Sequence, residues 1–121
     1  MAFLLGAGVM DVAAYALDGL SRRAEVRANN LANASTPGYR AETVDFESTI
    51  REFISHGDVS GLRDDPAMNI RVKAGFVSKN GNSVDLETET ADLIQDNLMF
   101  QAVVNGFNYK VDLIRSAIGS A

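Results

Sequence analysis

The stretch LETETADLIQDNLMFQAVVNGFNYKVDLIRSAI, residues Leu86 to Ile118, decides how the rest of the chain is read. A step of four and three residues along it picks out Leu86, Thr90, Leu93, Asn97, Phe100, Val104, Phe107, Val111, Ile114 and Ile118. All but Thr90 and Asn97 are large and apolar, and the alternation never slips. The pattern predicts a helix with a coiled-coil seam rather than the broader stripe of an ordinary surface helix. Such a helix would run roughly 50 Å, longer than a small chain can cover by itself. Ile94, Leu98, Met99, Ala102 and Val103 lie off the seam, so the helix is apolar on nearly every side and is expected to be buried on nearly every side. A core helix of a small bundle is the simpler explanation, but the chain has room for only one other long helix. The surplus apolar surface therefore points to assembly with copies or relatives. Asn97, inside the seam, would fix register through a buried amide hydrogen bond, and Thr90 would do so more weakly.

The partner within the chain is the segment from Asp11 to about Asn33. Ala13, Leu17, Leu20, Ala24, Ala28 and Leu31 recur at helical steps, a narrow seam of small residues suited to close approach by the long helix. Asp11 is placed to cap its start. Charge sets the sense of pairing. Glu89, Asp92 and Asp96, with Asp85 and Glu87, crowd the beginning of the long helix, whereas Arg22, Arg23 and Arg27 sit near the end of the first. Antiparallel pairing brings the basic end against the acidic start; a parallel pair would place it beside Lys110 and Arg115. Acids also suit a helix N-terminus on their own. As exposed pairs these charges would add little stability and serve mainly to set direction and register.

The first helix is expected to stop at Asn33. Pro37 pushes Thr36 out of the helical region, and Pro37-Gly38 fits the centre of a type II turn. Asn29, Asn30 and Asn33 place three amides in the last turns, where they can cap carbonyls or bind a neighbouring backbone. The run NNLANASTPGYRAETVDF, Asn29 to Phe46, closely resembles the N-terminal signature of flagellar basal-body rod proteins. Leu31 and Ser35 are mild departures from its usual residues. Val44-Asp45-Phe46, the Asn82-to-Leu86 entry into the long helix, and Ser116-Ala117-Ile118 near the end resemble the proximal rod members in particular. The resemblance implies an inner-tube arrangement in which the terminal helices, residues 1–33 and 85–121, flank a central insertion, 34–84. It implies assembly with itself and with other rod subunits, and neighbours such as a FliE-type adaptor and the junction of membrane ring and export gate. It further implies type III export without a cleaved signal, and a structural task in the rod of the flagellum. The candidate interface residues are Leu17, Leu20, Ala24, Asn30, Leu31, Asn33, Pro37, Gly38 and Tyr39 at the front. Leu93, Asn97, Phe100, Val104, Phe107, Val111, Ile114 and Ile118 complete the set at the back.

Within the insertion, Asp45 to His56 reads as a short amphipathic helix. Phe46, Ile50, Phe53 and Ile54 share a face, Asp45 is the N-cap and Gly57 follows the end. Asp58 to Asp65 reads as a loop. Ile70 and Val72, then Phe76-Val77, suggest a β-hairpin next to a turn at Lys79-Asn80-Gly81-Asn82. The expected fold is thus mainly α, two long terminal helices paired as an antiparallel coiled coil, with a short helix and a hairpin between them.

The remaining numbers exclude more than they suggest. A net charge of −5 argues against general affinity for nucleic acid or anionic membrane. There is no cysteine and one histidine, so zinc and thiol chemistry are not expected. His56, at a helix end, reads as a cap or surface residue. No phosphate-cradling loop, calcium-loop spacing or nucleophile elbow occurs, and no catalytic, metal or cofactor site is expected. The opening MAFLLGAGVM is apolar, but no Lys or Arg precedes Arg22 and Asp11 follows at once, which disfavours a cleaved signal peptide. Outside the rod reading, the sequence fits a free-standing coiled-coil dimer acting as an adaptor.

Overall fold

A computed structural model describes residues 7–65 and 69–119. The apolar opening up to Gly6, and Pro66 of the Asp-Asp-Pro sequence, lie outside them. Helix α1 spans Ala7–Ala32, strand β1 Glu42–Asp45, helix α2 Glu47–Ser55, a 3-10 helix Val59–Asp64, strand β2 Asn69–Val72 and helix α3 Leu86–Gly119. Among the described residues no helix is long and apolar enough to cross a membrane.

The apolar core does not lie between the two long helices. Tyr15, Leu20 and Val26 of α1 bury against Val44, Phe46 and Leu62 of the insertion, with Val12, Ala16, Ile50, Phe53 and Val59 packed around them. Helix α1 thus turns its best apolar face to the insertion. Of its anticipated seam, Leu20 is buried, Ala13, Leu17, Ala24 and Leu31 are half-buried, and Ala28 is exposed. The helix also starts before Asp11, which is therefore no cap. Asp11 instead receives a two-pronged bond from Arg63, Nε to Oδ1 at 2.6 Å and Nη2 to Oδ2 at 3.1 Å, fastening the 3-10 helix to α1.

The insertion departs from the sequence expectation in its strands. β2 pairs antiparallel with β1, Glu42 opposite Val72 and Asp45 opposite Asn69, not with Phe76-Val77, which is not a strand. The segment after Asp58, expected as a loop, is largely 3-10 helix, because Leu62 must reach the core. Helix α2 has the expected ends. Asp45 Oδ1 accepts from the Ser48 N–H at 3.1 Å, and its carboxyl is held below the usual range by Ser48, with Arg71 assisting. At the other end Gly57, φ +73°, donates to the Ile54 carbonyl and Asp58 to that of Phe53, a Schellman closure that favours a left-handed residue. His56 lies 2.8 Å from the Glu52 carbonyl through Nδ1, so the ring caps that helix end. Ile54, however, is on the solvent side.

α1 and α3 run antiparallel. Arg27 and Asn30 meet Glu89 near the start of α3, while Val9, Met10, Val12, Ala13 and Ala16 face Val103, Gly106, Phe107 and Lys110 across a groove of about 380 Å³. The line of α3 facing α1 is Glu89, Asp92/Leu93, Asp96, Val103, Phe107 and Lys110. It shares Leu93 and Phe107 with the anticipated seam but is shifted by one residue between them. Leu86, Thr90, Asn97, Ile114 and Ile118 are exposed as a result, Phe100 is just exposed, and Val104 and Val111 are half-buried.

Candidate assembly interface

The contact near the start of α3 is built from charge. Arg27 is buried, and its guanidinium donates through Nε to Asp96 Oδ2 at 2.7 Å and through Nη1 towards Glu89 Oε2 at 3.4 Å, with Asp92 at 3.5 Å. Burial disfavours its charge, but the Asp96 hydrogen bond and the surrounding carboxylates outweigh this and raise its pKa above the usual value. Arg23 donates to the Val44 carbonyl through both Nε and Nη2, at 3.1 and 2.8 Å, to Asp96 through Nη1 at 3.2 Å and to Glu47. Its guanidinium also lies over the Phe46 ring, 4.5 Å from the centroid. Lys73 reaches Glu89 at 3.0 Å. Glu89 and Asp96 are core residues, and the cluster joins α1, α3, β1 and α2. Arg22 stays outside it, paired with Glu25 of its own helix on the surface.

Buried charges of this kind add less than their attraction suggests, because each was hydrated in the unfolded chain. Their contribution is specificity. A slip of α1 along α3 by one residue would leave Arg27 and Glu89 dehydrated and unpaired, at several kcal/mol each by the usual cost of an orphaned buried ion. The register of the two helices is therefore sharply defined although little apolar surface joins them here.

Beside this cluster the Asn29–Tyr39 motif makes a closed hydrogen-bonded unit. Asn30 is fully buried and uses its whole amide. Nδ2 donates to the Glu42 carbonyl at 2.8 Å and to Glu89 at 3.1 Å, while Oδ1 accepts from Tyr39 Oη at 3.1 Å and the Glu42 N–H at 3.0 Å. Asn33 caps the Asn29 carbonyl at 2.8 Å and accepts from Thr36 Oγ1 at 3.1 Å. The Tyr39 N–H donates to the Thr36 carbonyl at 3.2 Å across Pro37-Gly38, and Gly38 has φ +75°, as a type II turn requires. Asn82, which the sequence places only at the helix entry, holds this turn. Its Nδ2 donates to the Asn33 and Thr36 carbonyls at 2.8 and 2.6 Å. Ser83 continues the clasp, its N–H donating to the Tyr39 carbonyl and its hydroxyl accepting from Ala41. Asp85 then takes the Thr88 hydroxyl at 3.0 Å in the first turn of α3.

Burial raises the Tyr39 pKa, and the nearby carboxylates of Glu42 and Glu89 raise it further; burial raises that of Tyr15. The unfolded chain then loses these phenolic protons first, so stability is complete below pH ~10 and falls as pH climbs through the raised folded values. Chemical denaturation midpoints across this range should show the fall, and Tyr39→Phe should flatten it while costing about 1 kcal/mol at neutral pH for the lost bond to Asn30.

The described chain thus has an antiparallel helix pair, a clasp closing one end of it, and long uncovered apolar surface on α3. A family model described as flagella basal body rod protein matches residues 10–40, which are most of α1 and the clasp through Tyr39. The Flagellar basal body rod protein FlgB of Aeromonas hydrophila is 28% identical over 116 residues, covering 86% of this chain and 87% of that protein. The FlgB of Bacillus subtilis (strain 168) is 28% identical over 126 residues, 94% and 95% of the two chains, and that of Escherichia coli (strain K12) 26% over 113 residues, 79% and 82%. Over residues 10–40 the chain is similar to the flagella basal body rod protein family. Its similarity to FlgB proteins extends over most of its length.

Proposed function

We propose that the chain is a structural subunit of the proximal rod in the bacterial flagellar basal body. Its helix pair joins a helical tube that transmits torque and forms part of the export channel wall. The observation that carries this reading is the face of α3 turned away from α1. Ile94, Leu98 and Tyr109 there are 57%, 63% and 67% exposed, and no charged residue occurs from Asn97 to Tyr109. A helix that is apolar and exposed on the face away from α1 is built for an assembly that covers that face. In that assembly the seam of Leu86, Phe100, Val104, Ile114 and Ile118 completes the antiparallel coiled-coil packing between subunits. Between the two apolar faces runs a third strip, Thr90, Asn97, Gln101 and Asn108, exposed, polar and uncharged. Such a strip suits a wall past which unfolded polypeptides slide without sticking. Other rod subunits, a FliE-type adaptor and the ring and export-gate junction are the neighbours this placement implies, with delivery to the periplasmic rod by type III export without a cleaved signal.

The test is complementation of a strain lacking the chain. The wild-type chain should restore swimming and be recovered in isolated basal bodies. Leu98→Asp should alter the unfolding free energy by no more than about 0.5 kcal/mol, since the side chain is exposed, yet abolish both swimming and recovery. Full motility of a null strain would refute the rod assignment, and normal swimming with Leu98→Asp would refute the claim that this face is covered.

A further inference from the structure

We propose that the free edge of β2 docks an extended segment of a neighbouring protein. The segment adds as a third strand, apolar opposite Ile70 and Val72 and acidic opposite Arg71. The register decides which backbone groups are available. The Lys73 N–H donates to the Ala41 carbonyl at 2.8 Å, which makes Arg71 with Thr43 and Asn69 with Asp45 the hydrogen-bonded pairs of the ladder. The N–H and C=O groups of Ile70 and Val72 therefore point away from β1. On the opposite edge of the sheet, α1 takes up outward groups of β1. Asn30 bonds both the N–H and the C=O of Glu42, and Arg23 bonds the Val44 carbonyl. Among the described residues nothing does this for Ile70 or Val72. One edge is capped and the other is open, a template for a further strand.

The side chains specify what the strand carries. Residues opposite one another share a face, so Ile70 lies on the same side of the sheet as Val44. Val44 is 1% exposed and Ile70 43%, so the core ends one strand short. Val72, Phe76 and Val77 are exposed as well. Apart from Ile54, no other large apolar side chain outside α3 is exposed among the described residues. On the other face Arg71 holds Asp45 at 3.2 Å while most of its side chain stays exposed, which leaves N–H groups for a second carboxylate. The same residue disfavours a second copy, because pairing Ile70 with Val72 of a copy sets Arg71 directly against Arg71. On the rod reading, on which this assignment rests, the strand comes from another protein of the basal body. So short a strand binds weakly alone and gains from contacts that already hold the partners together.

The probe is a capped peptide, Thr-Val-Glu-Val-Thr, whose three central residues match Ile70, Arg71 and Val72 in either strand direction. Added to the purified chain at millimolar concentration, it should slow amide exchange at Ile70 and Val72 by about tenfold or more. The lysine counterpart, Thr-Val-Lys-Val-Thr, should not. Ile70→Pro removes an outward N–H and no ladder bond, so it should leave the unfolding midpoint close to wild type and abolish the protection. Ile70→Ala keeps the N–H and should retain part of it. In cells, Ile70→Pro should impair swimming more than Ile70→Ala. No slowing with either peptide would overturn the proposal, and equal slowing with both would overturn its acidic part. Slowing without peptide as the chain is concentrated would mean self-pairing and overturn the assignment to a neighbour. Normal swimming with Ile70→Pro would overturn the use of this edge in the basal body and leave the rod reading standing. Absence of the wild-type chain from basal bodies would remove the rod reading, whereas the peptide result in solution would be unaffected.

Discussion

Replacing Arg27 by Met is expected to destabilise the chain by ~3–5 kcal/mol, the range for removing one partner from a buried ion cluster. The side chain is buried between α1 and α3, where it holds Glu89, Asp92 and Asp96 through contacts of 3.4, 3.5 and 2.7 Å. Without it Glu89 retains Lys73 and the Asn30 amide, and Asp96 retains Arg23, but three carboxylates then face one another with too little positive charge. Met fills much of the same volume, so the loss reports charge and hydrogen bonding more than packing. Lys at this position should recover only part of it, because an ammonium cannot address Asp96 and Glu89 with separate, fixed N–H groups. Urea denaturation midpoints should fall in the order wild type, Arg27→Lys, Arg27→Met. A loss below about 1 kcal/mol for Arg27→Met would mean that the cluster is hydrated, as surface pairs are, and does not define the helix register.

The second large effect has the opposite sign to what helix propensity suggests. A glycine inside a helix costs about 1 kcal/mol relative to alanine, so Gly19→Ala would ordinarily stabilise α1. Here an added Cβ would lie 2.3 Å from Phe46 Cγ, 2.4 Å from Cδ1 and 2.8 Å from its Cβ. The short distance to the Phe46 Cβ means that turning the ring is no remedy; the junction of β1 and α2 must move away from α1. Overpacking of this kind costs about 1–3 kcal/mol and occasionally more, here with the guanidinium of Arg23 displaced from the same ring. With the propensity gain and the lost cation–π contact roughly cancelling, we expect a net loss of about 1–3 kcal/mol and a fall in Tm of roughly 5–10 °C. Gly106→Ala is the control. Nothing lies within 4 Å of the position its Cβ would take, and the substitution should raise stability by about 1 kcal/mol or less. Equal and positive effects at both positions would show that α1 and the insertion are not packed as described.

These two cases also show where the sequence is informative. Helix α3 is legible because its apolar residues repeat without interruption, and the end of α1 because Asn33 and Thr36-Pro37-Gly38 carry strong local signals. The antiparallel sense follows from the placement of Arg23 and Arg27 against Glu89, Asp92 and Asp96. The register does not follow, because periodicity arguments count apolar residues as core and charges as surface. Glu89 and Asp96 occupy the contact line itself, which moves it one residue from the apolar seam and leaves Asn97 in solvent. A usable signal is present: Arg23, Arg27 and Asn30 recur at steps of four and three, as one buried face requires, and Glu89, Asp92 and Asp96 recur at three and four. The pairing of β1 with β2 is hidden for a different reason. The strands are short and distant in sequence, and β2 is exposed along its whole length, so no buried apolar pattern announces the pairing. The role of Asn82 is equally hidden, because an amide in a loop gives no hint of the carbonyls it will meet.

The most direct test of the claim that α3 is made to be covered on both sides is a density map of the intact basal body with this chain placed in it. The expected map shows α1 on one side of α3 and helical density of a neighbouring subunit against Ile94, Leu98 and Tyr109 on the other. A map in which those three side chains face open solvent, with α3 touching nothing but its own α1, would contradict it.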